Sequence, residues 1–145
     1  PRPGQPLPCG LMKKDILPPK VEDVSMAVVR EQDEDGADAW YVYLINEKDT
    51  ALDTVLVSSS GHGEIDGERR ATSEMRHYLE TLGPKSWARI ERIVEDVFAL
   101  SNQYWLSFYI GGQIHDRRYI FVAGSIHEEN FTRLPLMGAR GVLIG

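Results

Sequence analysis

The chain has 145 residues, 42% of them hydrophobic and 9% aromatic, with a formal net charge of −6. That length suits one domain with tails, and the apolar share is enough for a core, which excludes wholesale disorder. The negative balance disfavours non-specific binding to nucleic acid or an anionic membrane surface, and no run approaches the roughly 20 apolar residues that a spanning helix needs.

Residues 1–11, PRPGQPLPCGL, hold four prolines and two glycines, a composition that stays extended and has no core of its own. They read either as an added remnant or as a native extension upstream of Met12 and are set aside for the fold, and no signal-peptide pattern is present. Cys9, the single cysteine, excludes an internal disulfide or a thiolate metal cage and reads as an inert thiol. The expected plan is a Pro-rich extended segment over 1–19, a β-sandwich over 20–131, and a tail or edge strand over 132–145.

Residues 21–30 (VEDVSMAVVR) form the first expected strand. An acidic connector follows at 31–38, with five carboxylates in eight residues. A second strand spans 40–45 (WYVYLI), a turn 46–49, and a third strand 54–58 (TVLVS). Residues 58–67, SSSGHGEIDG, combine three serines with three glycines and read as a flexible loop.

Two readings compete over 72–100. Met75, Tyr78, Leu79 and Leu82 fit helical spacing, as do Ile90, Ile93, Val94 and Val97. The rival is two strands, 73–80 with Met75, His77 and Leu79 on one face, and 86–93, joined by a turn at Leu82-Gly83-Pro84-Lys85. The β character of the flanking segments favours the strands.

Residues 103–124 organise the rest. Two aromatic, apolar arms, 104–110 and 119–123, flank a connector with Gly111, Gly112, His115 and Asp116, the pattern of an antiparallel hairpin. Alternation puts Tyr104, Leu106, Phe108 and Ile110 on one face and Trp105, Ser107 and Tyr109 on the other. Both faces are rich in apolar or aromatic groups, which suits an interior strand. Residues 132–145 either lie against the domain or add an edge strand.

No nucleophile, phosphate-loop or dinucleotide motif occurs. Asp33, Asp35 and Asp38 in the acidic connector are candidate ligands for a hard cation, and His62, Glu64 and Asp66 for a transition metal or a general base, with His115 or His127 as donors from across the fold. Solvated connectors explain the same residues. Trp40, Trp105, Tyr109, Tyr41 and Tyr43, with Arg117 and Arg118, form a candidate partner-binding set, because aromatic residues and arginine anchor interfaces. Core packing is the competing use of the rings.

From Met12 onward, the stretches MKKDILPPK, WYVYLIN, SEMRHYLETLGPKSWARIE, DVFALSNQYWLSFYIGGQIHDRRYIFVAGSI and LPLMGARGVLI resemble a small bacterial protein family often labelled in genomes as an α subunit of phenylalanyl-tRNA synthetase. Such a subunit needs an ATP- and aminoacyl-binding core with characteristic arginine motifs, and none occurs here. The layout LINEKDTALDTVLVSSSG followed by LGPKSWARIE is also similar to immunoglobulin-like sandwiches. The expectation is therefore an all-β, immunoglobulin-like antiparallel sandwich of about seven strands, cytoplasmic, without a cofactor. It is expected to act as a non-catalytic protein-binding or assembly module, on a protein partner or as a homo-oligomer, with no nucleic-acid or membrane partner. A metal-dependent enzyme or sensor using His62, Glu64 and Asp66 is the second reading, and an accessory factor in tRNA or RNA metabolism the third.

Overall fold

The structure is a computed structural model that describes residues 19–145; Cys9 and the extension ahead of Met12 lie outside the described residues. Ten strands run in order: β1 (Val24–Gln32), β2 (Asp38–Asn46), β3 (Leu52–Ile65), β4 (Glu68–Ala71), β5 (Met75–Leu82), β6 (Ser86–Ile93), β7 (Ser101–Ile110), β8 (Gln113–Phe121), β9 (Thr132–Arg133) and β10 (Arg140–Ile144). The only helical structure among the described residues is two single 3-10 turns, Glu95–Val97 and Glu128–Asn130. No described helix is long and apolar enough to cross a membrane.

The strands form two antiparallel five-stranded sheets. The first has the order β6-β2-β1-β10-β9. In the second, β3 lies between β7 and two partners in line along its other edge, β5 and β4, and β8 closes the far side. The set β1-β2-β6 facing β3-β7-β8 is the strand arrangement of an immunoglobulin-like sandwich, with β5, fourth of the seven principal strands, moved to the edge of the second sheet. The other three strands are a short hairpin arm, β4, and the C-terminal pair β9 and β10.

The all-β expectation holds, and residues 72–100 are strands β5 and β6 joined by the expected turn. The central hairpin is also present. Its reversal is the pair Gly111-Gly112, with φ of +57° and +82°, a two-residue turn whose positive angles match strand twist. His115 and Asp116 lie within β8, not in the connector as the sequence implied. Pairing with β7 extends to Gln113 and takes them into the ladder.

A larger correction concerns residues 58–67. They form the second half of the 14-residue strand β3. Gly61 and Gly63 are there for close approach: a Cβ on Gly61 meets Asn102 Oδ1 at 3.0 Å and Thr72 Cγ2 at 3.2 Å, and one on Gly63 meets Leu100 at 3.1 Å. The actual turn is Asp66-Gly67, both at positive φ.

Between the sheets, Met26, Val28, Val42 and Leu44 meet Val57, Leu106, Phe108, Tyr119 and Phe121. The Tyr119 hydroxyl donates to the Val24 carbonyl at 2.6 Å, tying the sheets together, and burial pushes this phenol up to about 12. Trp40 closes one end, edge-on to Phe98 and Phe131 at 5.1 and 5.9 Å. A second, smaller core lies on the outside of the first sheet, where Ala27, Val29, Tyr41, Tyr43 and Ile45 are covered by Leu134, Met137 and Ala139. In the C-terminal segment β10 pairs with β1, β9 forms the edge of that sheet, and residues 134–139 lie against its outer face. Gly141 permits the pairing, since a Cβ there would run into the Val28 carbonyl.

Candidate functional site

Of the seven candidate partner-binding residues, Trp40 packs into the core, and the other six separate into three places. Trp105, Tyr109 and Arg118 stay together on the outer face of the second sheet. Cross-strand register sets Arg76, Ser58, Trp105 and Arg118 in one row, and Tyr78, Leu56, Ser107 and Asp116 in the next. Tyr109 pairs with Ile114 and Gln103 with Ile120. The result is an apolar band of Leu56, Tyr78, Trp105, Tyr109, Ile114 and Ile120, each between 38% and 61% exposed. The Arg118 guanidinium lies 5.9 Å from the Trp105 ring.

Tyr41 and Tyr43 lie on the opposite layer, buried beneath the C-terminal segment. Arg89 stacks 3.9 Å above Tyr41. The Tyr43 hydroxyl donates to Glu31, 2.8 and 2.9 Å from its carboxylate oxygens, and Arg89 bridges to Glu31 at 3.1 Å. Burial raises the Tyr43 phenol, against the lowering effect of the Arg89 hydrogen bond. Arg117 has the opposite orientation to Arg118 on β8: its guanidinium stacks 4.3 Å from Tyr119 and donates to the Gly145 carbonyl. One-residue alternation separates the two arginines.

The candidate metal ligands do not converge. Asp33 Oδ1 accepts the backbone N–H of Asp35 and Ala37 at 2.9 and 3.0 Å, and its Oδ2 faces Arg92 at 3.6 Å, so Asp33 builds the β1–β2 turn. Asp35 and Asp38 are exposed. His62 sits on β3 with Nε2 3.2 Å from the Ser60 hydroxyl, while Glu64 and Asp66 run on toward the exposed hairpin tip. His115 stacks on Phe108 at 5.1 Å, and His127 Nδ1 accepts the Glu129 N–H. Among the described residues no three His, Cys, Asp or Glu side chains are placed to hold a metal ion.

A polar cluster that the sequence reading missed lies at the open side of the sandwich, between β6 and the β4–β5 edge. Glu91 extends from the first sheet and meets three donors from the second. Ser59 Oγ donates to Oε1 at 2.9 Å, His77 Nε2 lies 2.6 Å from the same oxygen, and the Tyr104 hydroxyl donates to Oε2 at 2.9 Å. Burial, reinforced by the neighbouring Glu91 charge, pushes the Tyr104 phenol well above its ordinary value. The inward orientation of Glu91 comes from a bulge. Val42 pairs with Glu91 and Tyr43 with Arg89, leaving Ile90 as an extra residue, so Ile90 and Glu91 both face the interior. The one signal available in sequence was His77, an imidazole among inward-facing positions of its strand.

The fold and surface define a seven-strand immunoglobulin-like sandwich with added strands, one outer face covered by its own chain and the other uncovered among the described residues. Comparison with protein-family models finds no match, and none is found among curated proteins.

Proposed function

We propose that the protein is a non-catalytic binding and assembly module working through the outer face of the second sheet. One observation carries this reading: six large apolar side chains stand in adjacent rows on that face, while the other outer face is covered by the chain itself. A contiguous exposed apolar patch of this kind marks an interaction site, and Trp, Tyr and Arg are its usual anchors. The occupant is a second copy of this chain. Asp116 and Arg118 both face outward from β8, and among the described residues neither takes part in a salt bridge. A two-fold axis near this strand sets each Arg118 against Asp116 of the other copy and packs the aromatic rows between them, a self-complementary contact.

Light scattering over a concentration series tests this. The wild-type chain should form a dimer, Asp116→Arg or Arg118→Asp should weaken it, and the double exchange should restore it. A chain that stays monomeric throughout rejects the second copy as occupant. The metal-dependent reading lacks a comparable observation, because His62, Glu64 and Asp66 gain no further donor among the described residues.

A further inference from the structure

Beside Glu91 the sandwich opens into a cleft of about 540 Å³, at the gap in the second sheet's edge between β4 and β5. We infer that this cleft binds a small organic cation, a primary ammonium carried on a short aliphatic chain. The site is separate from the outer face: Tyr104 points into it, whereas its neighbour Trp105 points away.

The first support is the bulge at Ile90. With Ile90 facing inward, regular alternation would turn Glu91 out to solvent. The extra residue brings the carboxylate into the cleft instead, and bulges recur beside sites where they re-aim a side chain. Burying a carboxylate is costly unless it is well partnered; Ser59, His77 and Tyr104 supply hydrogen bonds, and an ammonium in the cleft adds a further charge-assisted donor. The second support is local charge. Glu91 is the acidic group among the described lining residues, and the one guanidinium of the lining, that of Arg92, is drawn to Asp33, which is not part of the lining. Glu91 Oε1 takes two partners, but Oε2 takes only Tyr104, which leaves it acceptor capacity. The third is the character of the walls. Met75, Val94 and Val97 give an apolar side for methylenes, and the hydroxyls of Thr72 and Ser73 line the mouth. The volume lies within the roughly 300–1,000 Å³ typical of small-molecule sites. An ammonium donates up to three hydrogen bonds, and those to a carboxylate are of the stronger, charge-assisted kind.

Calorimetric titration of the purified chain with n-butylammonium, n-butanol and butyrate tests the inference. Saturable binding is expected for the ammonium alone, with a melting temperature that rises with its concentration. Glu91→Gln should weaken binding about tenfold or more, the worth of a charge-assisted contact. That change also removes the link between the sheets, so Met75→Lys provides the second variant. Met75 stands 53% exposed at the lip, and the new side chain carries its own ammonium to the mouth without altering Ser59, His77 or Tyr104. It should abolish binding and leave the melting temperature of the free protein unchanged. A lysine peptide and its acetylated form separate a free amine from a polypeptide side chain as the source, with acetylation expected to remove binding. Equal binding of n-butanol, undiminished binding by the Met75 variant, or no binding by either amine would overturn the inference.

Discussion

The two outer faces of the sandwich begin from similar chemistry. The first sheet turns outward Ala27, Val29, Tyr41, Tyr43 and Ile45, and the second turns outward Leu56, Trp105, Tyr109, Ile114 and Ile120. On the first, residues 134–139 fold across the strands, and Ile45 and Ala27 are fully buried. On the second, nothing from the described chain covers the rings. β-propensity and alternation put apolar groups on both, and the route of the C-terminal segment alone decides which become core.

Four measurements sharpen or break this contrast. The largest effect belongs to the core that both sheets share. Phe108→Ala, at a fully buried β7 position, should cost about 3–5 kcal/mol in denaturant unfolding, as large-to-small core changes do. A loss below about 1 kcal/mol would mean that β7 is not the central strand of the core.

Leu134→Ala removes the main apolar cover from the first sheet, where Leu134 is 2% exposed. The expected loss is about 2–4 kcal/mol. New binding of a hydrophobic dye should accompany it, reporting that Tyr41 and Tyr43 have become accessible. Unchanged stability would put the two faces on the same footing.

Tyr119 gives a pH signature of the link between the sheets. Its phenol is raised in the folded state from 10.0 to about 12. A folded value above the unfolded one means that the folded state holds its proton longer. The stabilisation is complete below pH 10 and is lost as pH rises toward 12, on the order of 3 kcal/mol from this group. Tyr104 is raised in the same direction and adds to the slope. Tyr119→Phe should flatten the alkaline fall measured by unfolding at pH 9, 10 and 11. An equally steep fall in that variant would assign the effect elsewhere.

The smallest change in stability should come from the bare face. Trp105→Ala and Tyr109→Ala should each stay within about 0.5 kcal/mol of wild type, as exposed substitutions usually do, while the double variant lowers the oligomer mass. A loss comparable with that of Leu134→Ala would show that the second face is packed after all.

What the sequence alone determined is local in origin. The two-glycine reversal and the division of β7 into an inward row (Tyr104, Leu106, Phe108) and an outward row (Trp105, Tyr109) follow from period-two alternation and turn chemistry among near neighbours. Residues 73–93, by contrast, fit helical spacing as well as strands, and only the β character of their flanks favoured the strand pair. The tertiary structure decided everything that depends on residues far apart in the chain. Gly61 and Gly63 read as loop residues because their reason, the nearness of Thr72, Leu100 and Asn102, lies 11 to 41 positions away. Tyr41 and Tyr43 are indistinguishable from Trp105 and Tyr109 by composition, and only residues 134–139 send them into a core. Glu91 has the pattern of an outward residue beside Ile90 until a one-residue bulge against β2 turns it inward to Ser59, His77 and Tyr104. Alternation is fixed by the covalent chain, but cover, close approach and register are set by which distant strand arrives alongside.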